Sequence, residues 1–125
     1  MFLLKPPTVR PLEVFTSMPD HFRRTGVRSL WADVNQGGRL ADSFLEGPVF
    51  DEQGNLFVTD IPFGRVFRID PQGAWDLVAQ WDGEPNGMKF LNAKQLLITD
   101  YRNGLVVLDI ASGQVRPYLE RRNSE

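Results

Sequence analysis

Two stretches, EGPVFDEQGNLFVTD (46–60) and NGMKFLNAKQLLITD (86–100), are near-copies of each other, and their relation decides the fold class. Phe50 maps onto Phe90, Leu56 onto Leu96, Val58 onto Ile98, and Thr59-Asp60 onto Thr99-Asp100, each by adding 40, and Gly64 maps onto Gly104 by the same step. A repeat of this period marks stacked supersecondary units rather than one irregular domain. Glu46 and Asn86 stand at the head of the two copies, again 40 apart, so one position of the unit carries two different oxygen-bearing side chains.

Within each copy, short apolar runs alternate with turn chemistry. Strands are expected over 48–50, 55–59, 66–69 and 75–81, separated by DEQG, by Pro62-Phe63-Gly64 and by DPQG. The second copy repeats this over 87–90, 95–99, 105–108 and 115–119. Runs bounded by such turn residues read as an antiparallel meander. LFV and VVL are apolar at consecutive positions, which implies sheets covered on both faces. Four strands in about 40 residues, with both faces buried, describe a β-propeller blade. The expected fold is therefore all-β: a β-propeller fragment of two four-stranded antiparallel blades, with blade 1 over 46–84 and blade 2 over 85–125.

Residues 1–45 precede the repeat as an arm, a closing strand and an irregular segment. Pro6, Pro7 and Pro11 favour an extended arm over 1–10. LEVFT (12–16) reads as a lone strand, and 20–40 as irregular because Gly26 interrupts any helix and Asn35 to Gly38 mark a turn. Arg23, Arg24 and Arg28 read as a solvated basic face. His21, the sole histidine, lacks the partners of a triad or the spacing of a zinc site.

Two blades cannot close a ring, since propellers use about four to eight. A chain truncated before a third blade is therefore expected, or one that self-associates through exposed blade faces. Bare apolar faces cost about 25 cal/mol per Å² left wet. In the 125 residues, 14 basic against 16 acidic groups give a net charge of −2, so no nucleic-acid or anionic membrane partner is expected. No cysteine is present, which excludes disulfides and thiolate metal sites. The N-terminus lacks the pattern of a secretory signal, and a cytoplasmic location is expected.

The first strand of a blade lies beside the central channel, so Glu46 and Asn86 should converge on one channel mouth. The loops after Asp60 and Asp100 return to that same mouth, the second carrying Tyr101 and Arg102. A carboxylate and an amide oxygen are donors of the kind a hard cation such as calcium takes, although about six to eight oxygens are needed. Turn formation alone also accounts for Glu-Gly-Pro and Asn-Gly. Asp60 and Asp100, kept in both copies, read as scaffold.

The motifs FLEGPVFDEQGNLFVTDIPFGRVFRID, GEPNGMKF and ITDYRNGLVVLD resemble the N-terminal part of the SMP-30/gluconolactonase/LRE-like proteins over about residues 12–125. That resemblance implies a portion of a six-bladed propeller and a metal-dependent lactone hydrolase, in which water attacks a sugar-lactone carbonyl polarised by a divalent cation. Calcium is the first choice of cation, with zinc or magnesium as alternatives. It implies Glu46 as metal ligand and Asn86 as a pocket residue that contacts substrate or sits near the metal; from their place in the loop after Asp100, Arg102 or Tyr101 would contact the lactone at the rim, Arg102 reading otherwise as a solvated turn residue. The general base and remaining ligands would lie beyond residue 125, leaving the chain alone inactive. The competing reading is a non-catalytic propeller that serves as a binding scaffold.

Overall fold

The computed structural model describes residues 4–118. The repeat folds into two four-stranded antiparallel sheets in simple meander order. Sheet 1 comprises β1 (Leu45–Phe50), β2 (Leu56–Asp60), β3 (Arg65–Ile69) and β4 (Trp75–Gln80). Sheet 2 comprises β5 (Pro85–Asn92), β6 (Gln95–Asp100), β7 (Gly104–Asp109) and β8 (Val115–Pro117). Every strand expected within the repeat forms; the last ends at Pro117, short of Tyr118, and the expectation for Leu119 lies outside the described residues.

Alternation along the strands sorts side chains onto two faces of each sheet. Phe57, Val66 and Ala79 of sheet 1 pack against Leu96, Ile98, Val106 and Leu108 of sheet 2, with Phe90 edge-to-face on Phe57 at 5.5 Å. Each of these large side chains contributes roughly 1.5–3 kcal/mol by leaving water. The outer face of sheet 1 carries Val58, Phe67 and Ile69, which are covered by Met18 and Phe22. First strands meet at the join, β5 lying against β1 and β2.

The segment before the repeat departs from expectation in two places. Residues 12–16 form no strand; they run extended and largely exposed, and Thr16 is anchored to the β3–β4 turn by its hydroxyl hydrogen bond to the Gly73 carbonyl. With no neighbouring strand to supply a ladder, the β-favouring composition of LEVFT does not suffice. Residues 20–40 are more regular than expected, with a 3-10 turn at Asp20–Phe22 and a helix, α1, at Leu30–Asn35. Ser29 caps α1 by accepting the Ala32 N–H at 3.2 Å, and Trp31 and Ala32 are its buried anchors. Gly26 lies ahead of this cap, so it never interrupts the helix. The three arginines are largely satisfied: Arg23 by Asp42, Arg28 by Asp33, and Arg24 by the Gln80 side chain.

The repeat also slips by one residue. Asp60 pairs with Arg65 across β2–β3, whereas Asp100 pairs with Gly104 across β6–β7. The loop after Asp100 is one residue shorter, so the register counterpart of Gly104 is Arg65 rather than Gly64. Val66 corresponds to Leu105 and Phe67 to Val106.

Candidate functional site

Each sheet is held at its upper end by an aspartate. Asp60 accepts the Phe44 N–H at 2.7 Å, and Asp100 accepts the Glu84 N–H at 3.0 Å. The backbone bonds beside them also repeat, from Ile61 N–H to the Phe44 carbonyl and from Tyr101 N–H to the Glu84 carbonyl. These bonds fix the entry of β1 and β5. Immediately beyond, both strands bulge one residue out of step, between Glu46 and Val49 opposite Val58 in β1 and between Pro85 and Met88 opposite Thr99 in β5. Bulges re-aim side chains and concentrate beside functional sites.

Gly47 explains how the two bulges fit together. Its φ of +56° lies in the left-handed region, and a Cβ there would collide with the Asn86 carbonyl oxygen. That carbonyl also accepts the Thr59 hydroxyl at 2.9 Å. Asn86 is thus seated by backbone contacts on sheet 1.

The outcome is a groove of about 500 Å³ lined by Trp31, Val34, Asn35, Phe44, Glu46, Ile61, Glu84, Asn86 and Tyr101. Three of the four expected site residues, Glu46, Asn86 and Tyr101, come together in it. Its apolar wall is built by α1 and the strand entry, where Trp31 stacks obliquely on Phe44 at 4.7 Å. Glu46 is exposed, and its carboxylate makes one long contact, 3.4 Å, with its neighbour Gly47 N–H. Its oxygens are therefore available to a ligand.

Arg102 does not line the groove. Its guanidinium is held by Asp82 and by Glu84, the latter at 2.9 Å. The hydrogen bond to Glu84, with both carboxylates near, raises its pKa further above the ordinary arginine value. Arg102 holds Glu84 in place rather than offering a free cation. Glu84 is the groove residue that sequence comparison passes over, because its repeat counterpart is Phe44. Strand alternation gives no signal for it either, because Glu84 precedes β5 and Asn86 lies in the bulge.

The two aspartates differ in their remaining partners. Asp60 meets Arg65 at 2.6 Å with both side chains buried, and the guanidinium also donates to the Phe22 carbonyl and lies over the Phe67 ring. Burial pushes the Asp60 carboxyl up, against the pull of the Phe44 N–H and of Arg65. Burial also pushes Asp100 up. There, hydrogen bonds from the Glu84 N–H, Asn103, Trp81 and the Arg102 N–H outweigh it and hold the carboxyl below its ordinary value.

The groove supplies hard oxygen donors, with two carboxylates and two side-chain amides along its lining. Among the described residues, no three of His, Cys, Asp and Glu stand close enough to form a metal site together. Among the same residues, no helix is long and apolar enough to cross a membrane. No protein-family model matches this sequence, and no curated protein matches it.

Proposed function

We propose that the two sheets are neighbouring blades of a β-propeller and that the groove between their first strands belongs to a divalent-cation-dependent lactone hydrolase. The observation carrying this reading is that Glu46 and Asn86, each beside a bulge of its first strand, line one groove. Two turns of merely structural purpose have no need to converge.

Glu46 would hold the cation, with calcium favoured because carboxylate and amide oxygens are its preferred donors. In type these donors fit; in number they fall short of about six to eight, so water or further chains complete the shell. A bound divalent ion supplies Lewis-acid polarisation of a carbonyl and lowers the pKa of bound water. The Asn86 amide donates a hydrogen bond to a substrate oxygen and fixes its orientation. Tyr101 offers a phenol at the rim. Trp31, Phe44 and Ile61 form a wall that excludes water from one side of the substrate and strengthens polar contacts on the other.

The test is thermal unfolding of the full chain with excess calcium and with chelator, compared with Glu46→Gln. Calcium should raise the midpoint of the native protein, because a ligand binding only the folded state stabilises it. The shift should vanish in the variant, while the midpoints in chelator stay equal. An equal calcium shift in both proteins, or none in either, overturns the ligand assignment and leaves the groove as a recognition surface on a β scaffold.

A further inference from the structure

Cross-strand partners share a face, so the register places Lys89, Leu97, Thr99, Leu105, Val107 and Arg116 together on the far face of sheet 2, away from sheet 1. Leu105 is 39% exposed and Leu97 half-buried. Their counterparts in sheet 1 are Val66 and Phe57, both buried beneath sheet 2. The far face of sheet 2 therefore repeats the surface on which sheet 1 receives its neighbour, without a neighbour among the described residues.

The residues of the backbone seat recur in part, although Gly47 takes a left-handed φ and Gly87 does not. Gly47 and Thr59 hold the Asn86 carbonyl, and their counterparts Gly87 and Thr99 lie side by side on sheet 2. A Cβ on Gly87 would meet only the Thr99 hydroxyl within 4 Å, so space for an incoming carbonyl is open.

The opposite end of the molecule offers the matching half. Phe90 packs on Phe57, but its counterpart Phe50 is 66% exposed. Leu12, Val14 and Phe15, which run up to the anchored Thr16, are exposed beside the same turn end of sheet 1. The outer face of sheet 1 is covered by Met18 and Phe22, so this tail consists of Phe50 and the arm rather than the whole sheet. Charge distinguishes the ends. Lys89 and Arg116 outnumber the single acid Asp109 on the head face, whereas Asp51, Glu52 and Glu13 flank the tail residues. Head against head would oppose basic groups; head against tail pairs basic with acidic.

We propose that this chain associates head to tail with further copies of itself, the far face of sheet 2 in one copy receiving Phe50 and the arm of the next. Such a heterologous contact closes into a ring if its rotation permits and otherwise extends as a filament. With about four to eight sheets in a closed propeller, the ring holds roughly two to four copies. The association stands on packing and charge alone. Its consequence for the groove, that Glu46 carboxylates of several copies gather around one axis, rests on the cation reading above.

Sedimentation velocity of the full chain, in chelator so that cation binding plays no part, tests it. The mean mass should rise above 14.2 kDa with concentration. Phe50→Glu blocks the tail and Leu105→Glu the head. Both positions are exposed, so each variant should keep the native circular dichroism and remain monomeric. Mixed in equal amounts, they retain one intact head and one intact tail, and should form a dimer that grows no further. As a second measurement, the cysteine-free chain allows Phe50→Cys to be mixed with Leu97→Cys under mild oxidation, with crosslinked heterodimer expected over homodimers. A wild-type chain that stays monomeric at all concentrations overturns the proposal and points to another occupant, such as a further sheet in a longer chain. So does either folded glutamate variant associating like wild type, a mixture that gives no dimer, or crosslinked homodimers in excess.

Discussion

Asp60 and Asp100 occupy one position of the repeat and perform one backbone task, accepting the N–H that opens the first strand of their sheet. They achieve it in opposite environments. Asp60 is buried against a buried arginine, while Asp100 is held by neutral donors: Trp81 at 2.8 Å, the Asn103 side chain at 3.0 Å and successive backbone N–H groups. A repeat therefore conserves the geometry a unit needs while leaving free how the charge is compensated. The choice follows the surroundings. Sheet 1 carries the Thr16 to Phe22 segment on its outer face, and burying Arg65 there requires a carboxylate partner and the Phe22 carbonyl. At that register sheet 2 has Gly104 and no covering segment among the described residues.

The largest way to break this comparison is Asp60→Asn. Removing the carboxylate leaves Arg65 buried and uncompensated, which costs about 3–5 kcal/mol. That is a large share of the roughly 5–15 kcal/mol typical of a whole domain. Urea unfolding should show the midpoint collapsing, and a loss below about 1 kcal/mol would mean that the ion pair is not what holds the entry of β1.

Asp100→Asn should cost less, about 1–3 kcal/mol, because its Oδ1 bonds can survive while the amide nitrogen replacing Oδ2 accepts from neither Trp81 nor Asn103. Its pH signature differs in sign from that of Asp60. Asp100 is held low in the fold, so its contribution is complete above the ordinary carboxylate pKa of about 3.9 and is lost as pH falls through the lower folded value. Asp60 is raised, so folding takes up its proton earlier and acidification through that range works in its favour. Unfolding free energy followed downward from pH 6 should therefore fall less steeply in Asp100→Asn than in wild type. Some fall persists, because Asp109 is also held low, chiefly by the Ser112 N–H. Parallel profiles would show that Asp100 carries no linked proton.

The sheets were legible because apolar strand residues and turn residues repeat at a spacing that the order of residues reveals, and Glu46 and Asn86 followed from that spacing. What escaped was whatever one copy has and the other lacks. The one-residue slip after Asp100 is masked because Gly64 and Gly104 both serve left-handed turns, with φ of +60° and +81°, at different registers. Helix α1 was hidden by its brevity: six residues carry little periodicity, and its stability comes from the Ser29 cap and from burying Trp31 and Ala32. Glu84 was hidden behind an apolar counterpart. Arg102, expected at the rim, turned out to be tied to two acids that no local pattern links to it.

The smallest effect gives the sharpest comparison, since it concerns one hydroxyl in each sheet. Thr59 is buried and bonds across to the Asn86 carbonyl, joining the two sheets, whereas Thr99 is exposed and bonds only within sheet 2, to Gly87. Thr59→Val leaves that carbonyl without its donor and should cost about 1 kcal/mol. Thr99→Val, on an exposed face, should stay within about 0.5 kcal/mol when the chain is dilute. The order changes once copies associate. If the far face of sheet 2 receives a neighbour as sheet 1 does, Thr99 becomes the donor of an equivalent join. Its loss should then lower the stability of concentrated protein more than that of dilute protein, whereas the Thr59 penalty should be the same at both concentrations. Thermal midpoints of both variants at two widely separated concentrations decide the matter, and a concentration-independent Thr99→Val effect would mean that its hydroxyl joins nothing beyond its own sheet.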